Sequence, residues 1–154
     1  MSRQTKKPLK LDLKTLLTLA VLLVALLAGC QNGWLDTAGK DSGAIIAPQA
    51  IADYIFEHGE LPDNFITKKE AEALGWDSSR NYVSDVAPGK SIGGDRFGNY
   101  EGLLPDKNGR KWTEADANYV SGPRGAERIV FSNDRLVYYT DDHYESFTKM
   151  SPSK

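Results

Sequence analysis

The chain has 154 residues, one cysteine and 14 glycines, and its 19 basic and 21 acidic side chains leave a formal net charge of −2. A single cysteine excludes an intramolecular disulfide, so the folded part must rest on its core and its hydrogen bonds. The first 30 residues carry 5 basic and 1 acidic side chains, so the remainder holds 14 against 20, a net charge of −6. That is a poor balance for a protein that grips nucleic acid by charge alone.

Residues 1–30 read as an export leader. Arg3, Lys6, Lys7, Lys10 and Lys14 form a basic start, residues 16–28 are almost wholly apolar, and Leu-Ala-Gly-Cys closes at Cys30. Three readings stay open: a lipobox that leaves Cys30 as a lipid-modified N-terminus, a plain cleaved signal, or an uncleaved anchor. The apolar run is shorter than the ~20 residues a spanning helix needs, which ranks the anchor last. Residues 31–43 are polar and glycine-containing, and read as a flexible tether. Residues 44–150 suffice for one domain and not for two. Residues 151–154 read as a disordered tail.

The spacing predicts a helix over 47–58, with Pro48 at its first turn, Ile51, Tyr54 and Ile55 on one stripe, and Gly59 ending it. His58 suits the last turn as a cation facing the helix dipole. Thr67-Lys-Lys-Glu70 reads as a capping box that opens a second helix, with Ala71, Leu74 and Trp76 on its apolar side and Gly75 stopping it. After Gly89 the pattern changes to strands: 91–97 with a bulge at Gly93-Gly94, then 110–117, 128–132, 135–140 and a short 147–149. Asn133-Asp134 reads as a tight hairpin turn. Helices followed by an antiparallel sheet indicate an α+β fold. Trp76, Trp112 and Tyr119 are assigned to the core.

Strand alternation groups the candidate chemistry. Trp112, Glu114 and Asp116 share one face of their strand, and Arg128 and Val130 share one face of theirs. If Ile129 and Phe131 point into the core, Arg128 and both carboxylates can meet on one open sheet surface. Residues 85–102 are dense in glycine and carry one isolated carboxylate at Glu101. Exposed backbone N–H groups beside a carboxylate suit the reading of a guanine edge, which offers N1–H and an amine as donors and O6 as an acceptor.

Residues 61–68, Glu70, 73–76, 85–95, Glu114-Ala-Asp116, Asn118-Tyr119, Ser121-Gly122, His143 and Tyr144 together resemble the barnase-type family of guanyl-preferring bacterial ribonucleases. The resemblance covers roughly residues 51–149. It implies the microbial ribonuclease fold and RNA cleavage in two steps, through a 2′,3′-cyclic phosphate, with no cofactor and no metal. Glu114 would be the general base and His143 the general acid, two groups whose intrinsic acidities differ enough to hold opposite protonation states. Arg124, Arg128 and Lys68 would surround the phosphate, where fixed cations favour the more highly charged transition state. Asp116 would hold Arg124 or Arg128 in place. Glu101 would accept from guanine N1–H and N2–H₂, with backbone N–H groups near Gly98, Asn99 and Tyr100 donating to O6. Tyr144 would stack on the base or line the site. The partners implied are single-stranded RNA and a barstar-like inhibitor, bound by a monomer in the cell envelope or outside it.

Two positions depart from that pattern. Tyr100 stands where the family has an arginine, and Gly98 where it has a serine. With the acidic body, the lost cation predicts weaker binding of long RNA and of an acidic inhibitor. The rival from another class is a non-catalytic surface module on the same fold. Retention of Glu114, His143, Arg124, Arg128 and Lys68 argues against it.

Overall fold

The computed structural model describes residues 43–154. The leader, the lipidation candidate Cys30 and most of the predicted tether lie outside the described residues. Three helices come early: α1 (Pro48–His58), α2 (Lys68–Ala73) and α3 (Val83–Val86). Six strands follow the order β1 (Phe65–Ile66), β2 (Ser91–Phe97), β3 (Trp112–Asp116), β4 (Arg128–Ser132), β5 (Val137–Thr140) and β6 (Thr148–Lys149) in chain and sheet alike. Only the β1–β2 pair is parallel. This is the α+β fold that the pattern predicts.

Helix α1 starts and stops as its sequence directs. Pro48 occupies the first turn, and Gly59 ends the helix in the left-handed conformation with its N–H on the Ile55 carbonyl. Arg135 reaches across from the β4–β5 turn and donates to the Phe56 carbonyl at 3.1 Å, placing a cation at the negative end of the helix. The α1 residues Ile51, Ala52 and Ile55 pack on Ala117, Ile129, Phe131 and Val137, the apolar core of one sheet face. The capping box of α2 is complete: Thr67 Oγ1 accepts from Glu70 N–H, and the Glu70 carboxylate accepts from Thr67 N–H.

Several expectations are corrected. Leu74 is exposed, because α2 ends at Ala73 and Leu74 caps it rather than extending its apolar side. Arg135 and Leu136 belong to the turn and not to β5, since Arg135 takes a positive φ of 64° and its N–H closes on the Ser132 carbonyl. Helix α3 was not predicted; its four residues show no apolar period, and its start is fixed by the Asp85 carboxylate accepting from Tyr82 N–H at 2.9 Å. The tail predicted to be disordered lies along α1. Gln49 donates to the Ser151 carbonyl, and Ser153 donates to Asp53 through both its N–H and its hydroxyl.

The second sheet face carries the site. Trp112, Val130 and Leu104 form a buried cluster there, with Phe97, Tyr138, Tyr144 and Phe147 packed against it. The predicted bulge falls at Gly93-Gly94, where the β2–β3 register shifts by one residue. Gly94 takes φ 99°, which a side chain would strain. Gly93 is needed for space, since a Cβ there would sit 2.7 Å from Phe65, 2.9 Å from Ala115 and 3.0 Å from Leu61. Gly93→Ala is therefore expected to destabilise the domain by ~1–3 kcal/mol through overpacking, read as a lower urea midpoint at unchanged slope.

Candidate active site

Strand β3 supplies the two central carboxylates. Glu114 and Asp116 point to the same face, and the β3–β4 register sets Asp116 opposite Arg128. They do not lie on an open sheet surface as the alternation suggested. Glu114, Asp116 and Arg128 are only 8%, 2% and 4% exposed, because the aromatic cluster and the loops around it cover much of this face.

Asp116 holds both arginines. Arg124 engages it as a fork, Nε to Oδ2 at 2.6 Å and Nη2 to Oδ1 at 2.7 Å. Arg128 Nε lies 3.1 Å from Oδ1, an ion-pair contact without hydrogen-bond alignment, while Arg128 Nη1 donates to the carbonyls of Gly125 and Glu127 at 2.7 Å each. Each carboxylate oxygen thus has a cationic partner, and the guanidinium planes are fixed before any ligand arrives.

Glu114 sits between two donors. Lys68 Nζ lies 2.6 Å from Oε1, and the Tyr144 hydroxyl donates to Oε2 at 2.5 Å. Burial pushes the Glu114 carboxyl up, but those hydrogen bonds and the charges of Lys68 and Arg124 outweigh it and hold the group below its ordinary value. Burial, and then the bond to Glu114, push the Tyr144 phenol up, so it stays a donor at neutral pH. Lys68 reaches this position from the first turn of α2, whose leading N–H is held by Asp95 Oδ2 at 2.9 Å. Asp95 went unremarked in the sequence, where nothing local marks a carboxylate that anchors a helix 27 positions upstream.

His143 and Tyr144 lie in a turn after β5 and both take positive φ, 58° and 77°. The turn is held by Asp142, which accepts from Thr140 Oγ1 at 2.8 Å and from Ser146 N–H at 3.0 Å. Hydrogen bonds from Ser146, with a further one from Thr140, bring the Asp142 carboxyl down to about 2, so the clamp persists through most of the acid range. Holding two non-glycine residues left-handed costs ~1–2 kcal/mol each, a strain met at functional sites. The Tyr144 ring stacks on Phe97 at 5.2 Å, so Tyr144 lines the site with one face already covered.

A cleft of about 580 Å³ brings Gly98, Asn99, Tyr100 and Glu101 onto the same surface as Glu114, His143 and Tyr144. Asn99 closes this loop from a positive φ of 48°, with its side chain donating to the Leu104 carbonyl and accepting from Leu104 N–H. A second cleft of about 490 Å³ is lined by Lys68, Arg124 and Trp76, so Trp76 borders the site and is not buried core. Trp112 and Tyr119 are buried as predicted. His58 occupies the last turn of α1, 4.2 Å from the Tyr54 ring and outside the site. Around Glu114 and Asp116 stand three cations, Lys68, Arg124 and Arg128, so the site is locally positive within an acidic chain.

The family model described as ribonuclease matches residues 49–151. A protein named ribonuclease from Bacillus intermedius is 57% identical over 100 residues, 65% of this chain and 62% of that protein. The match therefore spans less than two thirds of the Bacillus relative's length. A ribonuclease from Heyndrickxia coagulans is 56% identical over 100 residues, 65% of this chain and 92% of that protein. The guanyl-specific ribonuclease St of Saccharopolyspora erythraea is 44% identical over 55 residues, 35% of this chain and 54% of that protein.

Removing one side of the buried ion pair leaves a guanidinium unpaired in a low-dielectric site. Asp116→Asn is expected to lose ~3–5 kcal/mol of unfolding free energy in a urea titration, whereas Glu101→Gln, an exposed change, should move it by less than ~0.5 kcal/mol.

Proposed function

The chain belongs to the ribonuclease family, and we propose that it is an endoribonuclease that cleaves single-stranded RNA on the 3′ side of guanosine without a metal. The observation that carries this reading is that one cleft is lined both by the carboxylate-bearing loop of Glu101 and by Glu114 and His143. A guanine edge presented to Glu101 and the backbone of the Gly98–Tyr100 turn would direct its ribose and 3′-phosphate toward Glu114. The name of the Saccharopolyspora relative supports the same base preference.

The chemistry proceeds by transphosphorylation. Glu114 takes the proton of the 2′-hydroxyl as that oxygen attacks phosphorus, and His143 gives a proton to the departing 5′-oxygen. The products are a 2′,3′-cyclic phosphate and a free 5′-hydroxyl. In the second step His143 takes a proton from water and Glu114 returns one to the 2′-oxygen. Arg124 and Arg128, already fixed by Asp116, face the charge that grows on the phosphorane and need no reorganisation to meet it. Lys68 is paired to Glu114 before substrate arrives, and an entering phosphate competes for it. Transfer of Lys68 to the phosphate would raise the basicity of Glu114 at the moment a base is required.

Export, and a lipid on Cys30, remain part of the proposal and rest on the leader sequence.

The test is cleavage of guanylyl-uridine by the purified protein in EDTA. Activity should persist in the chelator and yield the 2′,3′-cyclic phosphate first. Glu114→Ala and His143→Ala should each lower the rate by ~10²–10⁴. No cleavage by the wild-type protein, or equal rates for Glu114→Ala, would defeat the enzyme reading.

A further inference from the structure

We propose that the cleft bordered by Trp76 and Arg124 is a second RNA subsite, which takes the nucleotide preceding the guanosine and stacks its base against Trp76. The inference rests on the endoribonuclease reading above and adds a binding site to it.

The cleft, of about 490 Å³, is lined by Lys68, Glu72, Trp76, Asp77, Ser78 and Arg124. It shares no lining residue with the cleft that holds Glu101 and His143. Lys68 joins the two, since its Nζ lies 2.6 Å from Glu114 Oε1. The Trp76 cleft therefore flanks a chain whose scissile phosphate sits at Glu114. The chemistry sets which flank. The leaving 5′-oxygen takes its proton from His143, which lines the Glu101 cleft and not this one, so the nucleotide after the guanosine departs there. The segment left for the Trp76 cleft is the one that precedes the guanosine.

The lining suits a base. Trp76 is half-buried, and the Arg124 guanidinium lies 6.0 Å from the centre of its ring. Asp116 holds that guanidinium at two points, so its plane is set before a ligand arrives. Aromatic rings and guanidinium planes are the flat groups on which unpaired bases stack. An adjoining cleft of about 210 Å³ shares Trp76, Ser78 and Arg124 and adds Pro123 and Tyr82, which is 47% exposed. Of the two carboxylates in the lining, Asp77 is spent: it accepts from Ser79 N–H at 2.9 Å and pairs with Arg80 at 2.7 Å. Glu72 remains an acceptor that suits a base amine or a ribose hydroxyl.

Hydrogen bonds hold both walls. Asn81 donates to the Gly75 carbonyl and accepts from Asp77 N–H, which fixes the turn after Trp76. Tyr119 Oη accepts from Ser84 N–H and donates to the Gly122 carbonyl, which fixes the loop that leads to Arg124. The cleft is thus formed in advance, and filling it costs little ordering.

The experiment compares kcat/KM for adenylyl-guanylyl-uridine with that for guanylyl-uridine, on the full-length protein and on Trp76→Ala, Trp76→Phe and Ser78→Glu. The ratio isolates the added nucleotide, since a partly folded variant loses both rates alike. Wild type should favour the trinucleotide by roughly 5- to 150-fold, the worth of one stacked base. Trp76→Ala should bring the ratio to about one, and Trp76→Phe should keep most of the gain. Ser78→Glu, a change at an exposed position, adds bulk and a carboxylate to the cleft and should also lower the ratio; it carries the test if Trp76→Ala does not fold. A wild-type ratio near one with guanylyl-uridine still cleaved would overturn this inference alone. So would a gain that survives Trp76→Ala, or that survives Ser78→Glu where Trp76→Ala does not fold. Cleavage of neither substrate would overturn the endoribonuclease reading and this inference with it.

Discussion

Two carboxylates on one face of β3, buried among three cations, set the terms for the rest of the molecule. Asp116 is 2% exposed and holds Arg124 by a two-point fork and Arg128 by an ion pair. A buried charge that loses its partner is costly, so each member of this cluster depends on the others. It also ties the loop that carries Arg124 to the central strands. Glu114, two residues earlier on the same face, repeats the arrangement with weaker enclosure, since its partner Lys68 is partly exposed. Asp116 itself is closed off from solvent, whereas Glu114 lines the cleft.

The acidic chain and its locally positive cleft region are compatible for the same reason. The net charge of −6 beyond residue 30 opposes long-range attraction of RNA. At the site, three cations stand against two carboxylates, and their separations are short enough to dominate at contact distance.

What the sequence made legible was local. The capping box at Thr67 and Glu70, the Pro48 start and Gly59 stop of α1, and the bulge at Gly93-Gly94 each depend on a few adjacent residues, and each is present. Alternation placed Glu114, Asp116 and Arg128 on one face, as observed. It could not show that the face is covered, because the covering residues Leu104, Tyr144 and Phe147 come from separate loops. Asp95 holding α2, Arg135 capping α1 and the tail bonded to Asp53 are likewise long-range contacts without a local period. Strand β1 and helix α3 are too short for periodicity to register. Resemblance named the site residues; the geometry adds that Asp116 serves both arginines and that Tyr144 bonds to Glu114.

The central claim is that Glu114, though buried, is kept ionised by Lys68 and Tyr144 and so is ready to take a proton. Its carboxyl lies below its ordinary value, so the active form exists at neutral pH and is lost as the pH falls through that lowered value. The direct measurement is the acid limb of kcat/KM against pH for guanylyl-uridine, in wild type and Tyr144→Phe. The account predicts a wild-type limb below the usual glutamate range, moved to higher pH once the hydroxyl is gone and burial is less opposed. An acid limb at the same pH in both proteins would contradict it.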